Sequence, residues 1–222
     1  MEQGAKLIGS LFSLIGADLD LLEAILPVIR MKFLKKRVLF LCCHSSGLHA
    51  DTLCSEHPLA LDGWRPAAPL ALWELPRGRT LPLPPAPPAE LMLDKAPSML
   101  PISRLVFPDS DAEADEFYST ACTALAHGVG NCRALLHGRK PVCTVGCYEA
   151  SPAECYMAAG VTDPAWRGRG LARWLIVSLA NELAADRTVR FACFPELCDF
   201  YAQLGFLQIG KIQHYSTDWN TQ

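Results

Sequence analysis

Hydrophobic positions fall into three regimes along the chain. From Leu7 through Leu11, Leu14, Ile15, Leu21, Leu22, Ile25, Leu26 and Ile29 they recur at helical spacing, which predicts an amphipathic helix. Arg37–Cys43 (RVLFLCC) is then a short continuous apolar run, the pattern of a buried strand. Between about 58 and 101 the periodicity dissolves into proline, with LPLPPAPPAEL at its centre. Proline cannot donate to a sheet ladder or sit inside a helix, so Thr80–Ala89 reads as an extended connector.

From Ile102 onward the alternation is regular. ISRLVF reads as a strand. SDAEADEFYSTACTALAHG reads as a helix, with Ser110 as N-cap, Asp111 and Glu113 on the positive end of its dipole and Gly128 at its stop. CRALLHG and PVCTVGCYEA form a predicted hairpin turning at Gly138-Arg139-Lys140, and ECYMAAGVT is a further strand. A helix is predicted from about Gly170 to Ala185, with Leu171, Leu175, Leu179 and Leu183 on one face. A strand (TVRFACF), a short helix (PELCDFYAQLG) and a last strand (FLQIGKIQHY) complete the chain. The pattern predicts an α/β (α+β) fold: a mixed, mostly antiparallel sheet flanked by helices, with an N-terminal helical and extended extension. Its expected parts are a helical segment with a short strand at 1–57, the connector at 58–101 and a compact domain at 102–222.

Composition narrows the classes. Of 222 residues 50% are hydrophobic, enough for a real core, and the net charge of −3 gives no reason to expect nucleic acid. Asp18, Asp20 and Glu23 interrupt the apolar N-terminus, so no membrane span is expected there. The apolar run after MKFLKKR is shorter than a secretory core segment, which predicts a cytoplasmic chain whose ten cysteines are reduced and mostly buried. Cys42, Cys43, His44, His49, Cys54 and His57 are metal-type ligands, but their spacing matches no standard zinc site, and no metal is expected. The apolar stretch 1–30 would give a homodimer a surface to form on.

The most specific stretch is Asp163–Ala180, DPAWRGRGLARWLIVSLA. A strand ends near Val161, Asp163-Pro164 breaks it, and Arg167-Gly168-Arg169-Gly170 leads into a helix. Free N–H groups and the dipole at a helix N-terminus attract anions. Glycines let that backbone approach a phosphate without a Cβ in the way. Arg167, Arg169 and Arg173 add fork-shaped cationic donors. No Gly-Lys-Ser/Thr follows, so this is not a Walker A loop, and G-x-G-x-x-G is also missing.

About thirty residues on stands FYAQLGF (Phe200–Phe206), where Leu197, Phe200, Tyr201 and Leu204 share a helical face and Gly205 is the stop. The order strand, RGRGLA, helix, strand, FYAQLGF, strand resembles the GNAT superfamily of N-acetyltransferases. The match is firm from about Ala153 to Gly210 and thinner back to Ile102. The resemblance implies that acetyl-CoA is the co-substrate and that backbone N–H groups of Gly168, Arg169, Gly170, Leu171 and Ala172 hold its pyrophosphate. Arg167, Arg169 and Arg173 would stand beside them. Gly160, Val161 and Thr162 would pair with the pantetheine arm, and Tyr201 would protonate the departing thiolate. It further implies direct attack by a primary amine, of a small molecule or a protein, in a ternary complex. The place where family members often carry a base glutamate falls on Cys155, and Glu154 faces the other side of the strand by alternation. Glu149 or Asp163 acting through water are the other candidates. A catalytically silent acyl-CoA-binding domain, serving as sensor or assembly piece, is the alternative that this departure leaves open.

Overall fold

A computed structural model describes residues 4–8, 11–15, 39–43, 65–66 and 69–216. The chain divides into two compact units. One comprises Met1–Trp73, Ala192–Asp199 and Gln208–Gln222, and the other Glu74–Phe191 and Phe200–Leu207.

In the first unit β1 (Gly4–Ile8) pairs antiparallel with β2 (Leu11–Ile15), Ile8 opposite Leu11. The helix expected over these residues is therefore corrected to two strands. The two strands are five residues each, too short to carry a repeating helical face, and the intervening Gly9-Ser10 is a poor helix-forming sequence. The rest of that expected helix, from Leu21 to Ile29, lies outside the described residues, as do His44 to His57. β3 (Leu39–Cys43), the strand expected there, pairs parallel with β2 and antiparallel with β11 (Leu207–Ser216). The two-residue β4 (Arg65–Pro66) also pairs with β11. Within the region expected to be a plain connector lies β5 (Leu70–Leu75), whose Leu70 and Leu72 pack with Ala192 and Ile209.

The second unit carries the RGRG turn. Its strand order runs β10 (Thr188–Cys193), β9 (Glu154–Thr162), β8 (Lys140–Ala150), β7 (Asn131–His137), β6 (Leu91–Asp94). All neighbours are antiparallel except β9 and β10, which are parallel. A parallel pair needs a crossover, and α3 (Leu171–Ala184) supplies it. The buried run Pro141–Cys147 marks β8 as covered on both faces. On one face lie α1 (Met99–Val106) and α2 (Asp111–Ala126), where Met99, Ile102 and Ala121 pack on Cys132 and Ala134. On the other lies α3, with Leu171, Leu175 and Leu179 all at 2% exposure or less and Leu183 also buried. Burying a leucine fully is worth about 1.5–3 kcal/mol, so this face anchors the crossover to the sheet.

Ile102–Phe107 is not a strand but most of α1. Met99, Ile102, Ser103 and Val106 recur at helical spacing, and Pro101 is tolerated because it stands in the first turn, where its missing N–H has no acceptor to lose. α2 begins as expected, Ser110 Oγ accepting from Glu113 N at 3.3 Å. Gly138 takes the left-handed conformation (φ +62°) at the β7–β8 turn.

Candidate functional site: an arginine-rimmed cavity at the mouth of a helix

The turn between β9 and α3 is built in three steps. Asp163 N donates to Val142 O at 2.8 Å, fixing the strand end, and Asp163 Oδ1 accepts from Ala165 N at 3.0 Å, shaping the 3₁₀ turn Pro164–Trp166. Lys140 Nζ sits 2.8 Å from Asp163 Oδ2. That ammonium, with the Ala165 N–H second, holds the Asp163 carboxyl below the usual carboxylate range. Gly168 and Gly170 then both take left-handed backbone at φ +76°, which a side chain would strain. A Cβ at either would meet nothing within 4 Å, so both glycines face open space. The first helical bond of α3 runs from Trp174 N to Gly170 O at 3.2 Å, so the N–H groups of Leu171, Ala172 and Arg173 lie ahead of it.

These elements enclose a cavity of about 250 Å³ lined by Thr162, Trp166, the run Arg167–Arg173 and Phe200. Most of the cofactor-binding residues expected from sequence are thus brought together. Gly160 and Val161 do not line it, and neither does Tyr201.

Each of the three arginines is held, and none by an acid. Arg167 Nε donates to Thr162 O at 3.1 Å. Arg169 lies over the Trp166 ring, 4.5 Å from its centroid, and reaches Ala165 O at 3.5 Å. Arg173 lies 5.2 Å over the Phe200 ring and donates to Gln203 Oε1 at 3.0 Å. Elsewhere in this unit arginines pair with carboxylates: Arg104 with Asp111 and Asp115, Arg133 with Glu182, Arg190 with Glu74 and Glu154. Among the described residues no carboxylate ion-pairs with the cavity arginines. Three cations thus line one small space with no carboxylate ion-paired to them, Asp163 acting on Arg167 only at longer range, a field that favours a multiply charged anion.

Trp166 and Phe200 were not among the residues expected at the site. The signal was present: an aromatic three residues before Arg169 in a tight turn, and one beside Tyr201 on a face aimed at α3. Tyr201 is half-buried among aromatics, its ring centroid 4.4 Å from Phe191, 5.1 Å from Phe200 and 6.1 Å from Phe206. That packing needs α4 (Cys198–Leu204), which Gly205 ends at φ +93°.

The strand leading to the turn is irregular. Thr144 pairs with Val161 but Gly146 with Ala158, so β9 carries one extra residue there. Ala159 adopts φ +55°, the one non-glycine residue with positive φ among the described residues. Sequence gave little sign of it beyond the adjacent Gly160. The β9–β10 ladder covers only Glu154–Tyr156 against Thr188–Arg190.

Two of the three carboxylates considered as base, Glu154 and Asp163, are tied down. Glu154 Oε2 lies 2.5 Å from Arg190 Nη1. Asp163 is bound to Lys140. Cys155 is 3% exposed, and its hydrogen bond with Cys147, then burial, push its thiol up, which argues against a nucleophile. Among the described residues no group of metal-type ligands occurs, and no helix is long and apolar enough to cross a membrane.

The sheet is mixed, with a helical crossover whose N-terminus carries the three arginines. No protein-family model matches the chain, and no curated protein does either. Solved structures do match. A GCN5-related N-acetyltransferase from Kribbella flavida superposes with TM-score 0.64 at 15% identity, over 93% of this chain and 80% of that one. One from Sphaerobacter thermophilus gives 0.61 at 13%, over 96% and 74%. A tandem GNAT protein from the clavulanic acid biosynthesis pathway gives 0.60 at 14%, over 96% and 76%. The chain has the fold of the GNAT superfamily.

Proposed function

We propose that this protein is an N-acetyltransferase that moves an acetyl group from acetyl-CoA to a primary amine. The observation that carries this reading is the set of three arginines, free of carboxylate partners, around the glycine turn at the mouth of α3. A CoA pyrophosphate fits that charge and the N–H groups at the start of α3.

The chemistry is acyl transfer by direct attack. The amine nitrogen forms a bond to the thioester carbonyl carbon, and the carbon–sulfur bond breaks. A lysine-like amine of pKa about 10.4 is neutral in roughly 1 of 2500 molecules at pH 7, so the neutral form must be captured or a proton removed. Glu154 and Asp163 are both engaged by cations, so that proton passes to water, directly or relayed to Glu149. Tyr201 donates to the leaving thiolate. Full proton transfer from a tyrosine near pKa 10 to a thiolate near 8.5 runs uphill by about 2 kcal/mol, so Tyr201 steadies the leaving sulfur by its hydrogen bond, and holding the two reactants in line supplies most of the acceleration.

The engaged carboxylates favour one other reading, a domain that binds acyl-CoA without turnover. Acetyl-CoA titration followed by melting temperature tests the shared premise. At a hundredfold excess over Kd the melting temperature is expected to rise by about 5–10 °C. Gly170→Ala reports the backbone strain alone, and Gly170→Glu, which puts a carboxylate into the cavity, should abolish the shift. Thiol release with a panel of amines then separates enzyme from silent binder, and Tyr201→Phe is expected to lower that turnover without abolishing it. No shift in the wild type would end both readings.

A further inference from the structure

The three cavity arginines share an arrangement that the anion reading does not by itself require. Each is fixed by a neutral group: a backbone carbonyl, an aromatic face or an amide. Arg173 shows it most clearly. It belongs to the first turn of α3, and its guanidinium spans to α4, lying on Phe200 and donating to Gln203 Oε1 at 3.0 Å. Gln203 is exposed and does not line the cavity. Its amide oxygen orients the cation and leaves its charge intact. A glutamate has the same length and would make a stronger bond, yet would cancel the charge the cavity presents.

We propose that Gln203 is a positioning residue for the donor site. It aims Arg173 at the phosphates while leaving it at full charge, and its neutrality sets the affinity for the charged half of the donor. The inference rests on the acyl-CoA reading above. It concerns the phosphates alone, so a donor without them should not sense Gln203.

The experiment compares wild type, Gln203→Glu and Gln203→Met. Kd for CoA is measured by calorimetry at low and high salt, with S-acetylpantetheine, which lacks the nucleotide phosphates, as the second probe. Gln203→Glu is expected to weaken CoA about fivefold at low salt, the upper end for an exposed charge pair, and to flatten the salt dependence. Gln203→Met is expected to weaken CoA less and to keep the wild-type salt dependence, since the charge stays and only the aim is lost. S-acetylpantetheine should respond to neither variant. Melting temperatures of the ligand-free variants, expected within a degree or two of wild type, confirm that they fold. If Gln203→Glu binds CoA as tightly as wild type with the same salt dependence, the proposal falls while the acyl-CoA reading stands. If S-acetylpantetheine weakens in parallel with CoA, Gln203 acts on the fold rather than on charge, and the proposal also falls. If wild type binds no CoA, both fall together.

Discussion

Arg190 on β10 grips Glu154 on β9 at 2.5 Å and Glu74 at 3.0 Å, one guanidinium shared by two carboxylates. The contact lies where the parallel ladder forms, Arg190 standing beside Tyr156 and Glu154 beside Thr188. Glu154 is therefore a strut of the ladder rather than a base. Glu154→Gln is expected to leave kcat and its pH profile unchanged. The side chains are 33% and 41% exposed, so the stability loss should be small, about 0.5 kcal/mol by denaturant melt. A kcat that falls with a shifted alkaline or acidic limb would return Glu154 to the chemistry.

The carboxylate of Asp163 should make stability pH-dependent. Lys140 and the Ala165 N–H hold its folded titration below the unfolded one. Its contribution is then complete above the unfolded carboxylate range and is lost as pH falls through the folded value. Asp163→Asn is expected to lower Tm by a few degrees at neutral pH, with the gap to wild type closing on acidification. A gap that is constant with pH would mean the turn is held by its backbone alone.

Leu175 on α3 is fully buried, at 0% exposure. Leu175→Ala should cost about 2–5 kcal/mol in urea unfolding. Because α3 carries the cavity arginines at its start, binding of CoA should weaken only as far as the folded fraction falls. A loss of binding in fully folded variant would show that the helix mouth moves with its core.

Thiol reactivity should sort by burial. Burial pushes the Cys143 thiol up to about 11, partly offset by the Thr162 hydroxyl at 3.3 Å. Cys132 is likewise raised, chiefly by burial. In the native protein at mildly alkaline pH, iodoacetamide is expected to spare both and to modify the half-buried Cys122 and Cys198. Peptide mapping before and after denaturation checks this, and early labelling of Cys143 would contradict the packed β8 core.

The parts of the chain that could be read in advance were those where one physical signal dominated. Four leucines at spacing four gave α3, and glycines alternating with arginines ahead of it marked the turn that the structure finds lining the cavity. Ile102–Phe107 misled because ISRLVF is a short segment ending in three apolar residues, which suits a strand as well as a helix, and only Met99, upstream, completes the helical face. LALWEL was hidden as a strand by the prolines after it. Trp166 and Phe200 stood at suggestive spacings, but their role as supports for Arg169 and Arg173 depends on how those side chains lie, which sequence does not carry. Tyr201 was named from the resemblance. Its place among Phe191, Phe200 and Phe206 is a tertiary fact that no spacing within α4 reveals.

The connectivity around β9 bears on the order in which this unit assembles. β7, β8 and β9 are joined by tight turns, so their pairing closes short loops and can begin early. The β9–β10 pairing instead joins Tyr156 to Arg190 across the whole of α3. The arginine-rimmed cavity sits on that crossover. It is therefore expected to be completed late and lost early when the crossover loosens. Protection of the hydrogen-bonded amides from Trp174 to Leu179 against hydrogen exchange should accordingly fall below that of β8, and ligand capture at the helix mouth should act as a latch on late folding rather than as a nucleus for it.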